Sequence, residues 1–485
     1  LFTNIHRKNM NLQQLLAQSK ENTDLLTIEA TVITGFEFIA LDECREKCKP
    51  LSITKAKGRI FFNIHSRDFN KVLTLRAVDN VLLVIETIKD IPFEGKKDKD
   101  LEIVKSFVDT VEWDNSLKKW AEITEFKGIL YPSKIATKSI TERSDCSAVL
   151  CIQKDNLSKY YGEKMIETEK LEENSIDVID EEVNYFNNEL VYAPKEIETT
   201  DLDKSDVNED VLKFRATCYR IGEKHSFSSM EAAWEFGGTL QDKFGWTVDL
   251  TRFNLNVVLN IECKQGYICV AITKESLHRR NISHFSNTTL RATMCYNLFR
   301  LAEPMTGEIV IDPLCGGGSI SIEGTLSFPN TFHICGDYNR KAVERTRANV
   351  DYVNKTKAQC KIGAVMWDVK HLPLRTQSID VLVTDLPFGK RSGAKRDNLR
   401  LYSKVLFELA KFVKTGTGRA SLLTYDKTSL IKALRSQSKY WREIRQFGVN
   451  QGGLFSSVFL LLRKATAVPE TSSEESFEAV LQTDS

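Results

Sequence analysis

The chain has 485 residues, 42% of them hydrophobic and 27% charged, with a formal net charge of +1. That is length for roughly three globular domains, and the apolar content is too high for a chain that is disordered throughout. No apolar run approaches the ~20 residues that span a bilayer as a helix, the longest clusters being 81–85 and 458–462, which excludes a transmembrane helix.

Residues 1–10 carry no apolar stretch of the secretory kind. The 11 cysteines are irregularly spaced, Cys44 and Cys48 being the closest pair. Both features point to reduced thiols and a cytoplasmic location rather than a disulfide framework. No Cys or His set has the spacing of a structural zinc site, so no metal site is expected. Charge is unevenly spread: residues 163–210 hold 17 acidic and 4 basic side chains, leaving 63 Lys and Arg against 49 Asp and Glu elsewhere. That surplus reads either as a face for phosphate or, on charge alone, as a solvated surface beside a disordered acidic insert.

In chain order, strand-like runs at 28–33, 59–63 and 80–88 alternate with a helix-like run at 39–47, the pattern of a small α+β module bounded at 25–130. Residues 131–210 are acidic and poor in large apolar side chains, and are expected to be a disordered insert. A strand at 211–220, a helix at 228–244 opened by the capping box of Ser228 and Glu231, and strands at 256–261 and 268–273 make a second α+β unit, 211–275. A basic connector, 276–300, passes into a helix. Over 301–465, strands at 309–312, 333–337, 363–368, 381–385 and 420–425 alternate with helices at 320–326, 341–353, 402–413 and 429–436, and a last strand covers 457–462. This alternation predicts a parallel, doubly wound sheet. Residues 466–485 read as an acidic tail.

Ligands of doubly wound sheets sit beyond the carboxyl ends of the strands. The first strand runs into Asp312-Pro313-Leu314-Cys315-Gly316-Gly317-Gly318-Ser319, whose glycines let the backbone turn sharply and approach a ligand. Asp337 ends the second strand 19 residues beyond Gly318, the separation at which an acid accepts hydrogen bonds from ribose hydroxyls. The GxGxxG fingerprint is absent, Ile320 and Ser321 standing where its last glycine belongs, which disfavours a pyrophosphate ligand. Asp368 ends the third strand and reads either as an acceptor for an adenine amine or as a turn cap.

The fourth strand ends in Asp385-Leu386-Pro387-Phe388-Gly389. An exocyclic amine is a poor nucleophile because its lone pair is delocalised into the ring. A carboxylate and a backbone carbonyl accepting its two hydrogens localise that pair. Asp385 and the carbonyl of Leu386 offer the two acceptors, Pro387 stiffens the loop, and Phe388 offers a face on which a base stacks. Lys390, Arg391, Lys395, Arg396 and Arg400 follow; His278, Arg279, Arg280 and Arg291 precede the domain. The first set reads either as phosphate contacts or as a mobile charged loop, and the second either as a guide for RNA or as partners of acidic side chains.

These residues resemble the THUMP-domain-containing tRNA guanine-N2 methyltransferases. Residues 312–318 are similar to the family's first methyltransferase motif, and Thr384-Asp385-Leu386-Pro387-Phe388-Gly389-Lys390-Arg391 to its catalytic motif. Residues 276–282 and 288–291 resemble the segment joining THUMP to the catalytic domain, 211–273 the THUMP core, and 31–45, with Thr34-Gly35-Phe36-Glu37, the ferredoxin-like module that precedes it. The resemblance implies an α/β protein with a C-terminal Rossmann-like class I methyltransferase domain behind α+β ferredoxin-like and THUMP modules. It implies S-adenosylmethionine as methyl donor, with Asp312, Cys315, Gly316 and Gly318 near its methionine end, Asp337 at the ribose and Asp368 near the adenine. Asp385 would hold the guanine amine. It further implies that the 3′ end of tRNA is gripped, that an acceptor-stem guanosine at or near position 6 is modified, and that a small zinc-binding methyltransferase activator protein is the partner. Gly317 departs from the Ser or Thr usual there. On the residues alone, an adenine-N6 or other exocyclic-amine methyltransferase and a non-catalytic RNA-binding scaffold stay open.

Overall fold

The computed structural model describes residues 10–131, 212–222, 225–286, 289–357, 359–387 and 398–468. The acidic insert from 132 onward, the tail from 469, and Phe388, Gly389, Lys390, Arg391, Lys395 and Arg396 lie outside the described residues. The chain divides into two compact units, one formed by Leu1–Leu82 with Thr273–Ser485 and the other by Leu83–Ile272.

The first unit begins with α1 (Leu12–Glu21), opened by a capping box in which Asn11 and Gln14 bond reciprocally and so satisfy two of the helix's orphan amides. It continues with β1 (Leu25–Val32), α2 (Glu37–Lys47), β2 (Ser52–Ala56), β3 (Arg59–His65) and the start of β4 (Val78–Ile88). β3 pairs antiparallel with both β1 and β2. The polar exceptions in this apolar core are partnered: the Thr27 hydroxyl donates to Asn63 at 2.9 Å, and the Asn63 amide donates to the Leu15 carbonyl at 2.9 Å, as burial of polar groups requires.

The second unit holds α3 (Lys97–Ser106), α4 (Trp113–Thr124), β5 (Lys213–Ile221), α5 (Ser229–Phe244), β6 (Thr247–Val248), β7 (Leu255–Glu262) and β8 (Gln265–Ala271). β5 runs parallel to β6 and β7, and β8 antiparallel to β7. α5 carries the expected Ser228–Glu231 capping box and stops at Gly245, left-handed at φ +69°, a conformation glycine adopts at no steric cost. The expected module boundary near 130 is corrected. The apolar faces of α3 and α4 pack in this core, with Trp120 donating to the Ala271 carbonyl at 3.0 Å and Trp113 edge-on to Trp246, so residues 83–131 belong with 212–272.

The rest of the first unit is α6 (Ala292–Ala302), β9 (Ile309–Asp312), α7 (Ser319–Ser327), β10 (Phe332–Asp337), α8 (Arg340–Thr356), β11 (Ile362–Met366), β12 (Val381–Asp385), α9 (Asn398–Phe412), β13 (Arg419–Thr424), α10 (Lys427–Ser436), β14 (Trp441–Gln451) and β15 (Leu454–Arg463). The strand order is β11-β10-β9-β12-β13-β15-β14. β9 to β13 are parallel; β15 and β14 add an antiparallel hairpin at one edge. Chain direction across the sheet reverses between β9 and β12, so the crevice that such sheets use for ligands lies at the carboxyl ends of these two strands. Below it, Ile311, Leu382, Leu386, Leu422 and Phe459 join Tyr402, Leu406 and Leu430 in one buried cluster. Among the described residues no helix is long and apolar enough to cross a membrane.

Candidate active site

The glycine turn after β9 is cradled from several sides. The Cys315 amide donates to the Gly336 carbonyl at 2.9 Å, the Trp367 indole to Pro313 at 3.1 Å, Thr346 to the Gly316 carbonyl at 3.1 Å, and Asn349 to the Gly317 carbonyl at 3.0 Å. Gly316 and Gly318 are left-handed, at φ +54° and +80°. A Cβ on Gly318 would come within 2.7 Å of Thr346, whereas one on Gly316 would meet nothing within 4 Å. Gly318 thus lets α7 start against α8, and Gly316 leaves open space beside the turn. Gly317 would bring a Cβ only into ordinary contact with Arg345, so a small side chain fits there.

Asp337 binds the turn directly, accepting from the Gly316 amide at 3.0 Å and the Asn339 amide at 2.9 Å. Asp368 accepts from the Lys370 amide at 3.0 Å, the turn-capping arrangement, and stays partly exposed. Asp312 is buried; one oxygen accepts from Thr384 at 2.7 Å and from the Leu314 amide at 3.3 Å, and its Oδ2 has no partner. Asp385, at the end of the adjacent strand, has its Oδ1 sealed without a partner. Burial first, and the neighbouring Asp312 second, push the Asp385 carboxyl up to about 8. Burial likewise pushes Asp312 up to about 7, against the hydrogen bonds from Thr384 and Leu314.

Two buried carboxylate oxygens without partners, on neighbouring strand ends, cost free energy that a cation or an N–H donor in the crevice would recover. S-adenosylmethionine, a sulfonium with an ammonium group, fits that donor set, and the open side of Gly316 gives its backbone approach room. The pH behaviour follows by linkage. Both acids titrate above their unfolded values, so their contribution to stability is present below about pH 4 and is lost as pH rises through 7 to 8. A cationic ligand favours the ionised pair. Affinity for S-adenosylmethionine is therefore expected to rise between pH 6 and 9 more steeply than affinity for S-adenosylhomocysteine, whose sulfur is neutral, and Asp385→Asn should flatten the difference. Calorimetry across that range checks it, and equal slopes for the two ligands would contradict it.

The loop after β12 is anchored at Leu386, whose amide donates to the Leu423 carbonyl at 2.9 Å, and at the Pro387 carbonyl, which accepts from the Tyr402 hydroxyl at 2.5 Å. Tyr402 escaped the sequence reading because its spacing is that of a buried helix position. Of the two readings of the basic residues before the domain, pairing with acids is the one two of them display. Arg280 bonds the buried Glu323 at 2.9 Å and the Arg76 carbonyl at 2.7 Å, and Arg291 pairs with Asp79 at 3.5 Å. Both are therefore committed to internal carboxylates whose desolvation they offset. His278 is buried against the Ser276 hydroxyl and held down to about 3 by burial and by Arg291, Arg279 and Arg280, so it offers no positive charge. Arg279 is partly exposed and Arg400 exposed.

Residues 279–457 match the family described as RMKL-like, methyltransferase domain. The tRNA (guanine(6)-N(2))-methyltransferase THUMP3 of Mus musculus is 39% identical to the chain, over 93% of this chain and 91% of that protein. The Homo sapiens protein of the same name is 38% identical, over 98% and 96%. Among solved structures, TrmN from Thermus thermophilus superposes with a TM-score of 0.61 at 20% identity, over 90% of this chain and 99% of that one, which shows the same fold.

Proposed function

The chain belongs to the family of tRNA (guanine(6)-N(2))-methyltransferases that includes the mammalian THUMP3 proteins, and from this we propose that it methylates the exocyclic N2 amine of a guanosine in tRNA, at position 6, using S-adenosylmethionine. The observation that carries the chemistry is the unpartnered, buried Oδ1 of Asp385 at the end of β12.

When bound, S-adenosylmethionine supplies an electrophilic methyl group on a cationic sulfur. Asp337 and the turn 312–318 would hold it, with Asp368 the acceptor available to its adenine. Asp385 and the Leu386 carbonyl would accept hydrogen bonds from the two N–H groups of the target amine and so localise its lone pair, as a preorganised acceptor pair. Burial and Asp312 hold the Asp385 carboxyl up, to about 8, and a cation beside it would favour its ionised form, the form that accepts a proton. Its titration thus suits the removal of a proton from the methylated amine. Phe388 stacks on the base, and Lys390, Arg391 and Arg279 contact phosphate.

The proposal includes the zinc-binding activator protein as partner, seated on the open edge of the sheet at β11. Among the described residues β11 is an edge strand, where strand addition is available, and Met366, at 60% exposed, and Val365, at 38%, give it an apolar character. The described cysteines are unbridged thiols, which supports work in the reducing cytoplasm. Incubation with S-adenosylmethionine and a tRNA transcript, then digestion to nucleosides, should yield N2-methylguanosine. N6-methyladenosine as the product would overturn the guanine assignment, and no methylated nucleoside from the activator complex would favour a scaffold.

A further inference from the structure

We propose that Tyr402 is a positioning residue for methyl transfer: its hydroxyl holds the Pro387 carbonyl and so fixes the direction of the Leu386 carbonyl that meets the target amine. The inference rests on the reading of Asp385 and Leu386 above and adds a residue from outside the pocket. Tyr402 is fully buried in the cluster that contains Leu386, Leu406 and Leu430. Phenylalanine would fill the same space, so packing does not call for the hydroxyl.

Its hydrogen bonds run in one direction. The Pro387 carbonyl only accepts, so the phenol proton lies on that 2.5 Å bond. The Thr424 hydroxyl, 3.2 Å from the phenol oxygen, must then donate to it, and it in turn accepts from the Asp426 amide at 3.0 Å. Each donor polarises the next. The origin of the chain is itself fixed, since the Asp426 carboxylate accepts from Asn398 at 3.0 Å and from the Ser429 amide at 3.1 Å, tying the starts of α9 and α10 together. Burial pushes the Tyr402 phenol up to about 12, which keeps it a donor at neutral pH.

On the other side, the Leu386 amide is bonded to Leu423 on β13, and the proline ring fixes φ at 387. The Leu386–Pro387 dipeptide is thus held at both ends, with the Leu386 carbonyl between. Rotation of that peptide turns the acceptor away from the amine, and displacements of this size are expensive in rate.

The test uses the full chain co-expressed with the activator protein, a tRNA transcript and S-adenosylmethionine. Tyr402→Phe is expected to lower kcat by about tenfold or more, with the KM for tRNA and the S-adenosylmethionine dissociation constant unchanged within about twofold. Thr424→Val leaves the Tyr402–Pro387 bond in place and should lose less, and the double variant should be no slower than Tyr402→Phe alone, because the relay acts only through the phenol. Wild-type kcat in Tyr402→Phe, or equal losses in the two single variants that follow their melting temperatures, would overturn the proposal. Asp385→Ala measured alongside separates the two claims. If it is inactive while Tyr402→Phe is not, only the Tyr402 role fails; if it is active, the reading of the pocket fails.

Discussion

Asp385→Ala is expected to lower methyl transfer by about 10²- to 10³-fold, the usual effect of removing a preorganised electrostatic group, while S-adenosylmethionine binding changes only a few-fold. The same substitution should make the ligand-free protein more stable. The wild-type carboxyl is held up to about 8 by burial and by Asp312, so ionising it in the folded chain is unfavourable, and the variant escapes that cost. The gain grows as pH rises from about 4 and is fully present above 8. Melting curves at pH 6 and pH 9 would show it, larger at pH 9. Activity lost together with stability at both values would mean that Asp385 serves the fold. Gain of stability with loss of rate is the mark of a group kept in a costly place for its chemistry.

The second large effect is structural. Glu323 on α7, 1% exposed, accepts from Arg76 at 2.8 Å, Arg280 at 2.9 Å, Asn281 at 2.7 Å and Ser327 at 3.1 Å. Burial alone would push its pKa up, yet Arg280 and Arg76 hold it below the ordinary glutamate value. Its contribution is therefore present above that ordinary value and is lost as pH falls through the folded one. Glu323→Gln leaves two guanidinium groups facing a neutral amide and is expected to cost about 3 kcal/mol, the lower end for breaking a buried pair because the arginines keep some solvent. Denaturant midpoints at pH 7 would measure it, and a loss below about 1 kcal/mol would contradict the hub. Because α7 starts at the glycine turn, S-adenosylmethionine affinity should weaken in the same variant.

The catalytic sheet was legible because its two central strands are short apolar, β-branched runs closed by an acid: 309–312 and 381–385 fall where the pattern put them. The helix at 229–244 announced itself through its capping box. β14 did not, since 442–446 are polar apart from Ile444 and largely exposed, and the strand reads as a surface segment. α3 and α4 were not distinguished within 25–130, because amphipathic spacing says which face is buried and not against what. The same limit applied to the site. From sequence Arg280 and Arg291 read equally as RNA contacts or as partners of acids, because their carboxylate partners lie 43 and 212 residues away. The partner of the Tyr402 hydroxyl is the carbonyl of Pro387, 15 residues back, and only the packing of α9 on β13 brings the two together.

The amine clamp is tested most directly by removing the amine from the substrate. Two tRNA acceptors would be compared, one with guanosine at position 6 and one with inosine there, which differs by the missing exocyclic N2 group. The clamp predicts N2-methylguanosine from the first and no methyl incorporation at that site in the second. Equal incorporation into both would contradict it.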